Sequence, residues 1–210
     1  MFGDGSLTLR EFLMREPTPL ATIQDAVLGF LRDHAADAAL SGCQAVNAYV
    51  DEPRMTQDVD ILSSRAGELA AELCRHLKAQ FHIAVRIREI GDGRAYQVFQ
   101  IQKPRNRHLA DIRAVGELPP TQDVQGVRVV TPAELVASKV MAYHRRKGAP
   151  KSYTDQRDLA VLLLRFPGLK TSTGAVRDRL VAENASEGAL ATWRELVAQE
   201  IKPETEEGEF

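Results

Sequence analysis

The chain has 210 residues, a net charge of −2, 44% hydrophobic and 27% charged residues. That is the balance of an ordinary globular protein, long enough for one large domain or a domain with a helical appendage, and it excludes a global basic field for nucleic acid. Only two cysteines occur, Cys43 and Cys74, without metal-type spacing, which favours a reducing, cytoplasmic compartment. The N-terminus lacks the basic start and apolar core of a signal peptide, and no apolar run approaches the roughly 20 residues of a membrane span.

In chain order, residues 19–34 space Leu20, Ile23, Val27, Phe30 and Leu31 at helical intervals. AALSG then reads as a short strand ending in a glycine turn, QAVNAYV as a short helix closed by DEPR, and DVDIL as a strand. Residues 65–79 form an amphipathic helix with Ser63 and Ser64 as candidate caps. FHIAVRIREI alternates as a half-buried strand, GDGR turns it, and AYQVFQIQ returns. HLADIRAV is a further strand and GVRVV a short one after a Pro-Pro loop. From Thr131 the pattern becomes helical. TPAELVASKVMAYHRRK opens with a threonine cap, a proline and a glutamate at capping-box spacing, and three more helical segments follow. The expectation is an α/β (α+β) fold: a mixed-sheet core over 1–130, a helical region over 131–202, and a disordered acidic tail over 203–210.

The DVDIL strand carries the chemistry. Alternate residues of a strand face the same way, so Asp58 and Asp60 lie close together and repel unless a cation sits between them. Asp111, in HLADIRAV, lies on a face with Leu109, Arg113 and Val115; if its strand neighbours DVDIL, three carboxylates converge. Clustered oxygen ligands suit Mg²⁺ or Mn²⁺. A lone D-x-D is more often a solvated face, and Asp111 could instead pair with Arg113 or Arg107. What distinguishes this one is the order before it: strand, glycine turn, short helix, loop, D-x-D strand.

That stretch, LSGCQAVNAYVDEPRMTQDVDIL, resembles the core motif of the DNA polymerase beta-like nucleotidyltransferases, and most of all their AbiEii-like branch. The branch's Arg-x-Thr/Ser-x-D-x-D run stands here as Arg54, Thr56, Asp58 and Asp60. The helical lysine followed by D-x-x-D matches Lys139, Asp155 and Asp158. The resemblance implies a metal-dependent nucleotidyltransferase with a nucleoside triphosphate as substrate and Mg²⁺ or Mn²⁺ as cofactor. It implies Asp58, Asp60 and Asp111 as metal ligands, and Asp111 as acceptor of the attacking hydroxyl's proton. Ser41, Gly42, Cys43, Arg54, Thr56 and Lys139 would bind the nucleotide, with Asp158 positioning Lys139. The acceptor would be tRNA in a toxin-like enzyme held by an antitoxin, or a small molecule of the aminoglycoside type. Cys43 stands where the family has Gly or Ser, which keeps a degenerate, non-catalytic nucleotide binder as a third reading.

The bland readings remain alongside. Lys139 could cover the core with its stem, and Asp155 could merely favour its helix dipole. Two basic clusters could receive a triphosphate or RNA: Lys103, Arg105, Arg107 and His108; and Lys139, Arg145, Arg146, Lys147, Lys151 and Arg157. They could equally be solvated loops.

Overall fold

A computed structural model describes residues 18–34 and 36–203. The N-terminal stretch 1–17 and all of the acidic tail but Pro203 lie outside them. The chain divides into two compact units. The first joins the described residues up to Gln44 with Arg54–Val130; the second joins Ala45–Pro53 with the residues from Thr131 onward.

The first unit is built on a seven-stranded mixed sheet. In chain order it contains α1 (Leu20–His34), β1 (Ala38–Ser41), the start of α2 (Gly42–Asn47), β2 (Val59–Ser63), α3 (Ala66–Phe81), β3 (Val85–Ile90), β4 (Ala95–Gln100), β5 (Arg107–Ala114), β6 (Thr121–Val124) and β7 (Val127–Val130). The spatial order is β3-β4-β5-β2-β1-β7-β6, with β2–β5 and β1–β7 parallel and the other pairs antiparallel. Helices α1 and α3 pack on each other and over the sheet. Their apolar stripes, Ile23, Val27 and Phe30 on α1 and Leu69, Leu73 and Leu77 on α3, meet Val59, Ile61, Val98 and Ile112 in one core. Each such buried side chain contributes roughly 1.5–3 kcal/mol of transfer free energy.

Several elements differ from the sequence reading. The expected strand over FHIAVRIREI begins only at Val85, because α3 runs on through Phe81 and stops at His82 in the left-handed region, φ 53°. Nor is β3 half-buried: only Val85 is covered, while Ile87 and Ile90 are exposed, β3 being an edge of the sheet among the described residues. Strand β6, TQDV, had no apolar alternation to announce it; it pairs with β7 across a turn at Gln125 and Gly126, both at positive φ. Ser63 is the buried last residue of β2 and accepts a bond from Arg65 N at 3.0 Å, while the cap position of α3 is Arg65, without a side-chain bond.

The second unit contains α4 (Pro132–Arg146), α5 (Pro150–Arg165), a single 3₁₀ turn (Pro167–Leu169), α6 (Ala175–Ala182) and α7 (Glu187–Ala198). Helix α4 is the hub, packing on α5, α6 and α7. Leu135, Val136, Val140, Leu159, Leu162, Leu180 and Trp193 form its core. Proline does start α4, but Thr131 makes no side-chain cap bond, and Glu134 reaches Arg179 on α6 rather than closing a capping box. Ser186 does cap α7, accepting from Ala189 N at 3.2 Å. Residues 45–53 belong here through Tyr49, edge-on to Phe166, and the Glu52 carbonyl, which accepts from Arg157 at 3.3 Å.

Candidate functional site

Strand β2 alternates as its sequence dictates: Val59, Ile61 and Ser63 are buried, and Asp60 and Leu62 face the other way. Asp58 lies just before the strand. The loop that delivers it is pinned by Thr56, whose hydroxyl donates to the Asp58 carbonyl at 3.1 Å and whose carbonyl accepts from Gln24 at 3.0 Å. Thr56 is itself buried, so its hydroxyl serves the backbone that presents the acids. Register then does the rest. Ser41 on β1 pairs with Asp60, Asp60 with Asp111 on β5, and Asp111 with Gln97 on β4. These four lie in one row across adjacent strands, which run about 4.7–4.9 Å apart. The juxtaposition of DVDIL and HLADIRAV is therefore a direct strand pairing.

The side chains arrange themselves more finely. Among the described residues, the cluster whose donor atoms lie within 4.8 Å of one another is Asp58, His108 and Asp111. His108 Nδ1 is 3.1 Å from Asp58 Oδ2, and its Nε2 is 3.2 Å from Asp111 Oδ1. The Nε2 atom is buried, and its approach to Asp111 is off the line of a well-formed hydrogen bond. Contact with Asp111 first and Asp58 second pushes His108 up to about 10, against the opposing effect of burial. Burial raises the Asp111 carboxyl, but His108, with Gln97 and Arg113 behind it, holds it below the ordinary carboxylate value.

His108 was legible only as part of a basic cluster. In a regular strand it falls on the face opposite Asp111, three residues on. The pairing of β4 with β5 shifts register here: Val98 faces Ala110 and Phe99 faces His108, leaving Leu109 as an extra residue. This bulge sends Leu109 into the core, 1% exposed, rather than onto the Asp111 face, and brings His108 round to the acids. Arg107 points elsewhere, donating to the Thr18 carbonyl at 2.9 Å.

Asp60 stands a little apart, its carboxylate packed over Gly42. A Cβ at Gly42 would lie 1.9 Å from Asp60 Oδ2, and Gly42 has φ +63°. Cys43 beside it is buried and not in a disulfide. Arg54 is half-buried and donates to the Met55 carbonyl at 3.4 Å.

In the second unit, Lys139 and Asp158 are a buried pair at 2.7 Å, with Asp158 0% exposed. Asp155 is 3.7 Å from Lys139 and accepts from Arg146 at 2.8 Å. The helix-dipole reading of Asp155 thus gives way to an interior ion-pair network. Arg107, His108, Lys139, Arg146 and Arg157 are each engaged by the chain itself, and Lys147 approaches Glu195 at 3.4 Å.

The profile of the Nucleotidyl transferase AbiEii toxin family, type IV toxin–antitoxin system, matches residues 29–209. The chain belongs to this family. A comparison with curated protein sequences finds no match. The Megavirus polyadenylate synthase superposes with a TM-score of 0.60 at 16% identity, over 76% of this chain. This chain spans 34% of that protein, about a third of its length. JHP933 from Helicobacter pylori superposes with a TM-score of 0.53 at 14% identity, over 91% of this chain and 90% of that one. At such identities the likeness is one of fold: the AbiEii chain shares a nucleotidyltransferase-type mixed sheet. No helix among the described residues is long and apolar enough to cross a membrane.

Proposed function

We propose that this AbiEii-family protein transfers a nucleoside monophosphate from a nucleoside triphosphate to an acceptor hydroxyl, releasing pyrophosphate, with a divalent metal at Asp58, Asp60 and Asp111. The observation that carries the reading is the register of β2 on β5, which makes Asp60 and Asp111 neighbours, with Asp58 Oδ2 and Asp111 Oδ1 flanking one imidazole. A rigid set of carboxylate oxygens fits Mg²⁺ or Mn²⁺. Bound there, such an ion supplies a lowered nucleophile pKa and neutralises charge developing on the leaving group.

The chain's own residues do the remainder. The acceptor oxygen attacks the α-phosphorus, the bond to the β-phosphate oxygen breaks with its electron pair leaving on pyrophosphate, and the acceptor proton goes to an Asp111 carboxylate oxygen. Asp111 is placed for that role because it is half-buried and pairs in register with Asp60. At Gly42 the absence of a side chain leaves room for the Asp60 carboxylate, and the phosphate role of Ser41, Gly42 and Cys43 rests on the family resemblance. Lys139, held by Asp158, is assigned to phosphate charge on the family resemblance.

In its family context the enzyme acts as a toxin on tRNA in the cytoplasm, restrained by an antitoxin; two buried free cysteines fit a reducing compartment. A second reading, a small-molecule acceptor, gains from the tally of basic residues above, which leaves few cations for a polyanion. The test incubates the protein with Mg²⁺, each labelled nucleoside triphosphate, and either total tRNA or aminoglycosides, followed by mass spectrometry of the acceptor. The expected outcome is label on tRNA, lowered about a hundredfold or more by Asp58→Asn. Release of no pyrophosphate from any nucleotide, or full activity in Asp58→Asn, sinks the reading.

A further inference from the structure

The imidazole of His108 stands in the space between two carboxylates that the proposed function reads as cation ligands. Each ring nitrogen faces one of them, Nδ1 toward Asp58 and Nε2 toward Asp111, at 3.1 and 3.2 Å. The bulge at Leu109 is what puts it there, since regular alternation would have turned it to the opposite face. Both carboxylates thus meet the same ring. A hard divalent ion would satisfy both with oxygen contacts alone and has little preference for imidazole nitrogen. Ring and ion therefore contend for the same oxygens.

We infer that His108 is a displaceable occupant of the site: its ring holds the oxygens of Asp58 and Asp111 until a divalent cation takes them, and it thereby sets the affinity of the site for that cation. The inference rests on Asp58 and Asp111 being cation ligands. It assigns His108 the opposite role from a fourth ligand, and the two differ in sign. A ligand's removal weakens metal binding. A competitor's removal strengthens it, because the binding-competent arrangement is no longer a fraction of the population. His108 is a positioning residue in this account, since it acts on the acids and not on substrate.

The experiment titrates Mn²⁺ alone, without nucleotide, into the full chain and into His108→Ala, read by calorimetry and by the electron paramagnetic resonance of free Mn²⁺. The expected result is binding about tenfold or more tighter in His108→Ala, abolished in either background by Asp111→Asn. Equal or weaker binding by His108→Ala, with the wild type binding, overturns this inference and leaves the nucleotidyl-transfer reading standing. Binding by neither chain overturns both. A measurement on the wild type alone guards against a variant that folds poorly. Adding diamagnetic Mg²⁺ should move the His108 imidazole nitrogen resonances while the other imidazoles stay fixed. Mg²⁺ binding that leaves them in place refutes displacement.

Discussion

At Gly42 the backbone runs at φ +63°, and a methyl group there would overlap the Asp60 carboxylate. Gly42→Ala therefore meets two penalties, a left-handed backbone costing about 1–2 kcal/mol and a side chain that must move aside. Thermal unfolding should report lower stability, and transfer activity should fall further than Tm alone predicts, because Asp60 is the group displaced. An alanine variant with unchanged Asp60 geometry in a crystal structure contradicts this account. The acids themselves were legible: two aspartates two apart on an apolar strand, and a third on another alternating run. Their neighbourhood depended on which strands pair, which the residues alone left conditional and only the family resemblance suggested. His108 was not legible. Its spacing from Asp111 is odd, and the extra residue that corrects the phase arises only when β4 pairs with β5.

Elements show the same division between what is local and what is not. Helices α1, α4 and α5 followed their periodicity to within a few residues. Glu134, by contrast, looked like half of a capping box and is instead the partner of Arg179 across two helices, a tertiary contact with no local signature. The Lys139–Asp158 pair joins α4 to α5 in the interior, and its energetics are testable. Asp158→Ala leaves a buried ammonium with Asp155 as its remaining neighbour and should cost about 3 kcal/mol or somewhat more in urea unfolding. Replacing both partners, Lys139→Met with Asp158→Leu, should recover most of that loss, since no lone charge remains. A single-variant loss below about 1 kcal/mol means that the lysine head has escaped to water. The family resemblance pointed to Lys139 and Asp158, and spacing put Asp155 and Asp158 on one helix face; only packing makes Lys139–Asp158 an interior pair.

For the whole molecule, charge bears on which acceptor it takes. Of the two basic clusters, Lys103, Arg105, Arg145 and Lys151 are those with neither an ion-pair nor a side-chain hydrogen-bond partner among the described residues, Arg107 and Arg157 being held by backbone carbonyls. If these four carry an RNA acceptor, log K against log salt should have a slope no steeper than about −4, at 0.7–0.9 per phosphate neutralised. A small-molecule acceptor should give a slope near zero, and a steeper one points to a different surface. The two units also show why a cut at one sequence position describes this chain poorly. Residues 45–53 depart from the first unit and return to it at Arg54, held meanwhile by Tyr49 and Glu52 to the helical unit. No composition shift marks that excursion; aromatic and backbone partners far along the chain decide it.

One exposed border of the sheet has a bearing on how the protein behaves in a crowded cell. Among the described residues strand β3 has no neighbour on its outer side, and such a border invites another polypeptide to add itself on, lengthening the ladder indefinitely. Its outward residues include Arg86, Arg88 and Glu89 in the company of Ile87 and Ile90. The arginines repel an incoming identical strand, which works against fibre growth at this border.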